Sequence, residues 1–221
     1  MKKGLIGLMQ RLGEMVLPLR AHKDAGGENS TFIVVGLGNP GREYKDTRHN
    51  VGFMVIDSIS ADLDIKISRV QSKALVGQGL VQGYKVILAK PQTYMNLSGQ
   101  AVSGLLRFYK VPLDHLLVVH DDLDLPLGTL RMRPDGGSGG QKGLASIIQQ
   151  LGTQAFPRLR IGIGRPPGRM PASDYVLQTF SSGDKETLQA VLDRAVAAAN
   201  AFILHDLNYA MNQFNGALEH E

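Results

Sequence analysis

Residues 31–41, with the sequence TFIVVGLGNPG, are a short apolar run that ends in a glycine-rich turn. The first five residues are β-branched or aromatic and none is charged, which is typical of a strand buried on both faces. Residues 116–119, LLVV, form a second such run and lead directly into His120-Asp121-Asp122. We therefore predict two central strands, each followed by polar residues at its carboxyl end.

Strands and helices alternate along the rest of the chain. Thr47 is placed to cap a helix, and a second helix begins near Asn96 and stops before Pro112. The other predicted elements are a hairpin of residues 74–81 and 84–89, a basic strand at 129–133, a glycine loop at 136–140, a helix at 141–151, a strand at 159–163 and a helix at 184–204. This order predicts a single three-layer α/β domain with a twisted mixed, mainly parallel central sheet and helices on both faces. Ligands of such folds bind at the carboxyl ends of the strands.

Length and composition limit the possible classes of protein. The 221 residues suffice for one well-buried domain, and the absence of cysteine excludes disulfides, thiolate zinc sites and cysteine nucleophiles.

We predict a catalytic domain of residues 31–221 after an N-terminal extension of residues 1–30, either an amphipathic helix or disordered. Charged residues interrupt the apolar positions of that extension, so it is neither a signal peptide nor a membrane span. We expect a cytoplasmic protein, or one of an organellar stroma or matrix if the extension is a transit peptide.

Positive charge is concentrated in residues 131–170, which contain seven arginine or lysine residues and one acid, Asp135. The whole chain carries a formal charge of only +4, so the remainder is net negative. A basic Gly- and Pro-rich stretch of this kind suits contact with a phosphate backbone, although a solvated surface would give the same composition.

Residues 36–41, GLGNPG, match the glycine pattern of dinucleotide-binding proteins. That fingerprint requires a helix that opens inside the glycines and an acid at the end of the next strand. Pro40 and the polar residues that follow extend the loop instead, so we reject a nicotinamide cofactor.

Candidate catalytic residues follow both central strands. His49 lies near a predicted helix start, where the helix dipole disfavours a protonated ring, and Asp121 can hold the tautomer of that ring. Two amides, Asn39 and Asn96, follow strands as well, and a turn or a helix cap would also explain them. Asp121, Asp122 and Asp124 also suggest a magnesium site, but alternation along a strand points Asp121 and Asp122 to opposite faces.

Six motifs together resemble those of the bacterial peptidyl-tRNA hydrolase family across residues 31–215, which are 185 of the 221 positions. In chain order they are GLGNPG, Tyr44, TRHN at 47–50, YMNLSG at 94–99, HDDLDLP at 120–126 and RLRIGIG at 158–164. The resemblance implies a monomeric hydrolase that cleaves the ester between a peptide and the 3′ end of tRNA released by ribosomes. It implies no metal, no cofactor, no obligate protein partner and no membrane.

The resemblance also implies roles for single residues. His49 would activate water with the support of Asp121, and Asn39 would separate N-blocked peptidyl-tRNA from free aminoacyl-tRNA. The implied contacts with the tRNA acceptor stem, its 3′ end and the peptide are Tyr44, Tyr94, Met95, Asn96, Lys142, Arg133 and Arg160. Asn96 or a backbone N–H would hold the developing oxyanion. One departure stands out, because Gln141-Lys142 replaces the His-Asn pair of the family pattern and puts a cation where an amide is expected.

The alternative function is RNA binding without catalysis. A chloroplast intron-splicing factor is similar to this family and binds RNA without hydrolysing it. An N-terminal extension with transit-like composition suits that alternative, and the candidate catalytic residues do not exclude it.

Overall fold

A computed structural model describes residues 30–218, so that nearly all of the predicted N-terminal extension lies outside the described residues. The strands are β1 (Thr31–Gly36), β2 (Arg69–Gln71), β3 (Ala74–Val81), β4 (Tyr84–Pro91), β5 (Leu116–Asp122), β6 (Thr129–Arg133), β7 (Arg158–Gly162) and β8 (Gly216–Ala217). The helices are α1 (Val51–Asp62), α2 (Ser98–Tyr109), α3 (Lys142–Leu151), α4 (Ala172–Tyr175), α5 (Lys185–Leu204) and α6 (Leu207–Phe214). Short 3-10 turns connect several of these elements.

The eight strands form one sheet in the order β2-β3-β4-β1-β5-β7-β6-β8. Strand β1 pairs in parallel with β4 and β5, and β5 pairs in parallel with β7, whereas the outer pairs are antiparallel. The predicted mixed sheet is confirmed, but it is mainly parallel only at its centre: the three parallel pairs join the four central strands, and the other four pairs are antiparallel. Gly36 of β1 is in register with Val119 of β5, so the polar residues after both strands meet at one edge of the sheet.

Helices cover both faces of the sheet, as predicted. Alternate residues of β1 enter two separate cores: Phe32 and Val34 pack with α1 and α5, and Ile33 and Val35 pack with α2 and α3. Helix α5 and the turn before it, Ser182–Leu204, are long and apolar enough to cross a membrane by length and composition, and half of that apolar window is buried inside the protein.

Most predicted elements lie within two residues of their observed positions, and the hairpin is confirmed. Its turn residues, Gln82 and Gly83, both have positive φ (47° and 90°), as a two-residue hairpin turn of type I′ requires. The predicted capping role of Thr47 is wrong, because its hydroxyl donates to Tyr44 O and a 3-10 turn, Arg48–Asn50, precedes α1. Strands β2 and β8 and helices α4 and α6 had not been predicted; the first three of these elements are only two to four residues long.

A backbone contact between two glycines seats α1 on the end of β1. A Cβ on Gly36 would lie 2.1 Å from Gly52 O, and a Cβ on Gly52 would lie 2.5 Å from Leu37 N. Real Cβ atoms do not approach so closely, so only glycine lets the two segments touch here. This contact brings the turn before α1, which carries His49, to the edge where β1 and β5 end.

Candidate active site

An open cleft of about 750 Å³ lies at this carboxyl edge of the sheet. Seven of the predicted site residues line it: Asn39, His49, Tyr94, Met95, Asn96, Asp121 and Lys142. Tyr44, Arg133 and Arg160 do not line the cleft. The structure thus brings together the residues predicted to act on the ester, whereas the two arginines predicted to hold the acceptor stem are not part of the cleft wall.

The His49 and Asp121 side chains form a buried pair, 12% and 3% exposed, in which His49 Nδ1 lies 2.9 Å from Asp121 Oδ2. A carboxylate can only accept, so Nδ1 of a neutral ring carries the proton and Nε2 remains an acceptor. The ring also lines the cleft. The pair therefore has the arrangement of a histidine base oriented by a carboxylate.

The turn that carries His49 is fixed by the segment after α4. His49 N–H donates to Val176 O at 2.8 Å, and Arg48 N–H donates to Gln178 O at 2.9 Å. The Arg48 guanidinium donates to Thr179 O at 2.5 Å and lies over the ring of Tyr175. These contacts hold the backbone of the turn and so restrict the position of the imidazole.

Asn39 is held by three hydrogen bonds. Its N–H donates to Asn50 Oδ1 at 2.8 Å, and Asn50 Nδ2 donates to Asn39 O at 2.9 Å. Its side-chain Oδ1 accepts from Met95 N–H at 2.8 Å, which fixes the orientation of the amide and leaves its NH₂ group for the cleft. Asn50 had not been singled out from the sequence, although its place directly after His49 in the TRHN motif could have marked it as a site residue.

Asn96 and Tyr94 form an exposed part of the cleft wall. Asn96 lies inside the 3-10 turn Met95–Leu97, and no side chain caps this turn or α2. The capping interpretation of Asn96 is therefore wrong, and its amide is available to a ligand. Tyr94, 61% exposed, is one of the large apolar side chains that the fold leaves uncovered.

Gln141 and Lys142 stand at the start of helix α3, next to the turn Met95–Leu97 that carries Asn96. Gln141 Oε1 accepts from Leu144 N–H at 2.8 Å and so caps α3, while its Nε2 lies 3.1 Å from Asp121 Oδ1. Lys142 is exposed and lines the cleft. The sequence had shown the departure from the family pattern at these positions but not the contact between Gln141 and Asp121.

The carboxylates proposed for magnesium are engaged in other contacts. Asp122 Oδ2 accepts from Arg160 Nε at 2.6 Å, and Asp124 forms an ion pair with Arg165. Burial, the largest single effect, would raise the pKa of Asp122, but the hydrogen bonds from Arg160 and from Asp124 N–H, together with the nearby positive charge, lower that pKa overall. Within residues 30–218 no three His, Cys, Asp or Glu side chains are grouped as a metal site requires.

The basic residues of 131–170 do not form one uniform surface. Arg158 is buried and donates to the backbone oxygens of Gly136, Gly137 and Gln154, so it holds the glycine loop in place. Burial lowers its pKa. Arg131 and Arg133 of β6 stand opposite Arg160 and Arg158 of β7. Cross-strand partners point to the same face, so Arg131 and Arg133 share a face of the sheet with Arg160, whose guanidinium is paired with Asp122.

Comparisons with known proteins agree with this architecture. A sequence model of the family described as peptidyl-tRNA hydrolase matches residues 33–221. The chain is 55% identical over 186 residues to peptidyl-tRNA hydrolase of Moorella thermoacetica, which covers 83% of this chain and 97% of that protein. It is 48% identical over 178 residues to the chloroplastic peptidyl-tRNA hydrolase of Arabidopsis thaliana, which covers 80% of this chain and 62% of that protein. The crystal structure of Acinetobacter baumannii peptidyl-tRNA hydrolase superimposes with a TM-score of 0.80 at 35% identity, over 87% of this chain and 98% of that one. Matches of this length and identity place the chain in the peptidyl-tRNA hydrolase family.

Proposed function

We propose that this protein hydrolyses the ester between a peptide, or an N-blocked aminoacyl group, and the 3′ end of tRNA. Such a reaction recycles tRNA from peptidyl-tRNA that ribosomes release. The observation that carries the proposal is the His49–Asp121 pair, which leaves one imidazole nitrogen as an acceptor in an open cleft. The family membership of the chain supports the same activity.

The reaction follows from the orientation of the ring. His49 Nε2 takes a proton from water as the water oxygen attacks the ester carbonyl, and Asp121 stabilises the imidazolium that results. When the tetrahedral intermediate breaks down, the C–O bond to the ribose breaks and the imidazolium returns its proton to the leaving 3′ oxygen. The products are a peptide acid and free tRNA, and the histidine ends in its starting state.

The exposed amide of Asn96 lies on the wall of the same cleft and is suited to donate to the developing oxyanion. Loss of one such donor typically raises the activation barrier by roughly 3–4 kcal/mol. We assign this role to Asn96 because Gln141 already donates its NH₂ group to Asp121 Oδ1, and because we assign the free NH₂ group of Asn39 to substrate selection.

The orientation of Asn39 supports a role in substrate selection. Because Met95 N–H occupies Oδ1, Asn39 offers donors to the cleft. The carbonyl of an N-blocked substrate accepts such a donor, whereas the ammonium of a free aminoacyl group has only donors and is repelled. This arrangement favours peptidyl-tRNA over aminoacyl-tRNA.

The RNA contacts follow from the positions of the cations. Lys142 lies on the cleft wall, where it can reach a phosphate of the 3′ end, with Tyr94 and Met95 beside it. Arg133 and Arg160 lie on β6 and β7 and do not line the cleft, and we assign them to the acceptor stem rather than to the 3′ end. Tyr44 lies in a 3-10 turn of the β1–α1 connection, and its contact with substrate remains a prediction.

We further propose that the protein acts as a monomer in the cytoplasm. The chloroplastic name of the Arabidopsis relative belongs to that protein, and an organellar location remains the alternative for this one. The RNA-binding alternative without hydrolysis has less support, because the relatives described above are named as hydrolases and the His49–Asp121 geometry is intact.

The test is incubation of the purified protein with N-acetylated aminoacyl-tRNA in EDTA. We expect release of free tRNA by the wild type, no release by His49→Ala, and retained tRNA binding by that variant. Asp121→Asn should lower kcat by about 10²-fold to 10⁴-fold, because an amide that donates to Nδ1 leaves the wrong tautomer for catalysis. Inertness of the wild type with retained binding would favour the splicing-type alternative. EDTA-sensitive cleavage would instead revive the magnesium site.

A further inference from the structure

Gln141 makes contacts that neither helix capping nor the proposed reaction accounts for by itself. The residue is buried beside the catalytic pair, and its backbone N–H donates to Ser138 O at 2.9 Å. Its side chain touches three different segments: Leu144 N of α3, Met95 Sδ of the β4–α2 connection, and Asp121 Oδ1 of β5.

The orientation of the Gln141 amide is determined by these contacts. Leu144 N–H is a donor, so the atom that faces it at 2.8 Å must be the amide oxygen. The NH₂ group therefore points at Asp121 Oδ1, 3.1 Å away. The two oxygens of Asp121 are thus divided, with Oδ2 on His49 and Oδ1 on Gln141.

We propose that Gln141 is a positioning residue that sets the basicity of His49 through the second oxygen of Asp121. This inference rests on the proposed function, in which His49 is the base. A donor on Oδ1 withdraws charge from the carboxylate and so weakens its hold on the imidazolium. Without that donor the coupled pair keeps a proton to higher pH, and less of the enzyme has a free base at a given pH.

The amide differs from an ionisable residue at this position because it does not titrate in the physiological range. Gln141 therefore gives Asp121 a donor of constant charge, while its oxygen ties that donor to the start of α3. Gln141 therefore links the first turn of α3, which carries Lys142, to Asp121 and through Asp121 to the protonation of His49.

Several of the other charged or titratable groups around the pair are paired or held by hydrogen bonds, whereas the buried ring of His120, next to Asp121 in the chain, has an unpartnered Nε2. The groups that line the cleft or adjoin the pair are Arg48, Tyr94, His120, Asp122, Asp124, Lys142, Arg165, Asp174 and Tyr175. Asp122 and Asp124 are paired with arginines, and Arg48 is directed at Thr179 O and Asp184. Tyr175 donates its hydroxyl proton to Ile163 O. Among the described residues, Gln141 is the only one besides His49 whose side chain is hydrogen-bonded to the Asp121 carboxylate.

The test compares two substitutions that preserve the cap of α3. Gln141→Ser keeps an N-cap acceptor but is too short to reach Asp121, and Gln141→Glu keeps the shape and the cap acceptor but replaces the donor with a charge. We expect the acid limb of the kcat/KM profile to move to higher pH by on the order of half a pH unit in the serine variant. The shift should be larger in the glutamate variant.

The matched control is Asp206→Ala, which removes the equivalent cap of α6 by Asp206 Oδ1 on Tyr209 N–H. It should lower the melting temperature and leave the pH profile unchanged. The proposal is overturned if the profile of Gln141→Ser superimposes on that of the wild type, if its activity falls equally at every pH, or if Gln141→Glu shifts the limb less than Gln141→Ser does.

A second measurement separates this proposal from the proposed function. The midpoint of the His49 ring titration, followed by NMR without substrate, should rise in both Gln141 variants. If the wild type fails to cleave peptidyl-tRNA, the proposed function falls while this midpoint still tests the contact. An unchanged midpoint in an active enzyme would overturn the role of Gln141 alone.

Discussion

Asn39 Oδ1 accepts a 2.8 Å hydrogen bond from Met95 N–H, and this bond joins the loop after β1 to the turn before α2. Because this bond occupies the amide oxygen of Asn39, the NH₂ group is the part of the amide that is left for a substrate. It leaves Asn39 with only its NH₂ donors free for the cleft, and the proposed selectivity for blocked amino groups rests on that asymmetry.

The substitution Asn39→Asp should therefore relax substrate selection. One carboxylate oxygen can still accept from Met95 N–H, while the other would face the cleft and attract an α-ammonium group. A charge-assisted hydrogen bond is worth roughly 1.5–3 kcal/mol, so we expect the preference for N-acetylated over free aminoacyl-tRNA to fall by about tenfold or more. The measurement is the ratio of kcat/KM for the two substrates with the same tRNA.

The control for this experiment is Asn39→Ala, which removes donor and acceptor together. It should lower kcat/KM for the N-acetylated substrate without creating activity on the free one. If Asn39→Asp rejects aminoacyl-tRNA as strongly as the wild type does, Asn39 has no part in the selection.

The contact of Gly52 with β1 and β5 leads to a prediction about stability. A Cβ at this position would lie 2.5 Å from Leu37 N and Leu37 O and 2.6 Å from Val119 O. These are backbone atoms, which cannot rotate away as the end of a side chain can. Although alanine favours helices by about 1 kcal/mol over glycine, we expect Gly52→Ala to lower the free energy of unfolding by about 3 kcal/mol. Urea denaturation provides the measurement.

Gly137→Ala is the matched control for that substitution. No heavy atom lies within 4 Å of a Cβ at Gly137, and its φ is not in the left-handed region. Its effect should stay within about 0.5 kcal/mol. Equal stability of the two variants would show that α1 adjusts its position, contrary to the close contact described above.

The apolar runs of the sequence were sufficient to predict the strands β1 and β5, because such a run marks a buried strand. Their polar ends made a contact between His49 and Asp121 possible, but the expected roles of the two residues came from the resemblance to the family. The contact between Gln141 and Asp121 depends on how the glycine loop returns to the sheet, which no local pattern encodes. The alternation of Arg158 and Arg160 likewise shows that they share a face, but burial of Arg158 depends on the loop that covers it.

His120 should make the stability of the protein fall in mild acid. The ring is buried, Nδ1 lies 2.8 Å from Asp121 O, and Nε2 has no partner. Burial lowers its pKa below the ordinary 6.5, against the opposing effect of the Asp121 and Asp122 charges. Below pH 6.5 the unfolded chain therefore binds a proton that the folded chain does not, and stability is lost progressively as the pH falls toward the lowered value.

The variant His120→Asn keeps a donor for Asp121 O and does not titrate. Between pH 7.5 and 5.5 its free energy of unfolding should fall by about 1 kcal/mol less than that of the wild type, as measured in urea at both pH values. His205→Asn, at an exposed position on α5's carboxyl end, should retain the wild-type pH dependence. A wild-type slope in His120→Asn would show that other groups cause the acid sensitivity.

Arg133 lies exposed at the end of β6, opposite Arg158 and outside the cleft, and we expect it to contact a phosphate of the acceptor stem. Arg133→Gln in the inactive His49→Ala background should weaken tRNA binding and reduce the slope of log K against log salt by about 1. A short 3′-end analogue that lacks the stem should bind both proteins equally. Arg69→Gln, on strand β2 at the far end of the sheet, is the charge-matched control and should leave the slope unchanged. If Arg133→Gln and Arg69→Gln give the same slope, the basic face of β6 and β7 does not hold the stem, and the cations that bind RNA must lie within the cleft, with Lys142 first among them.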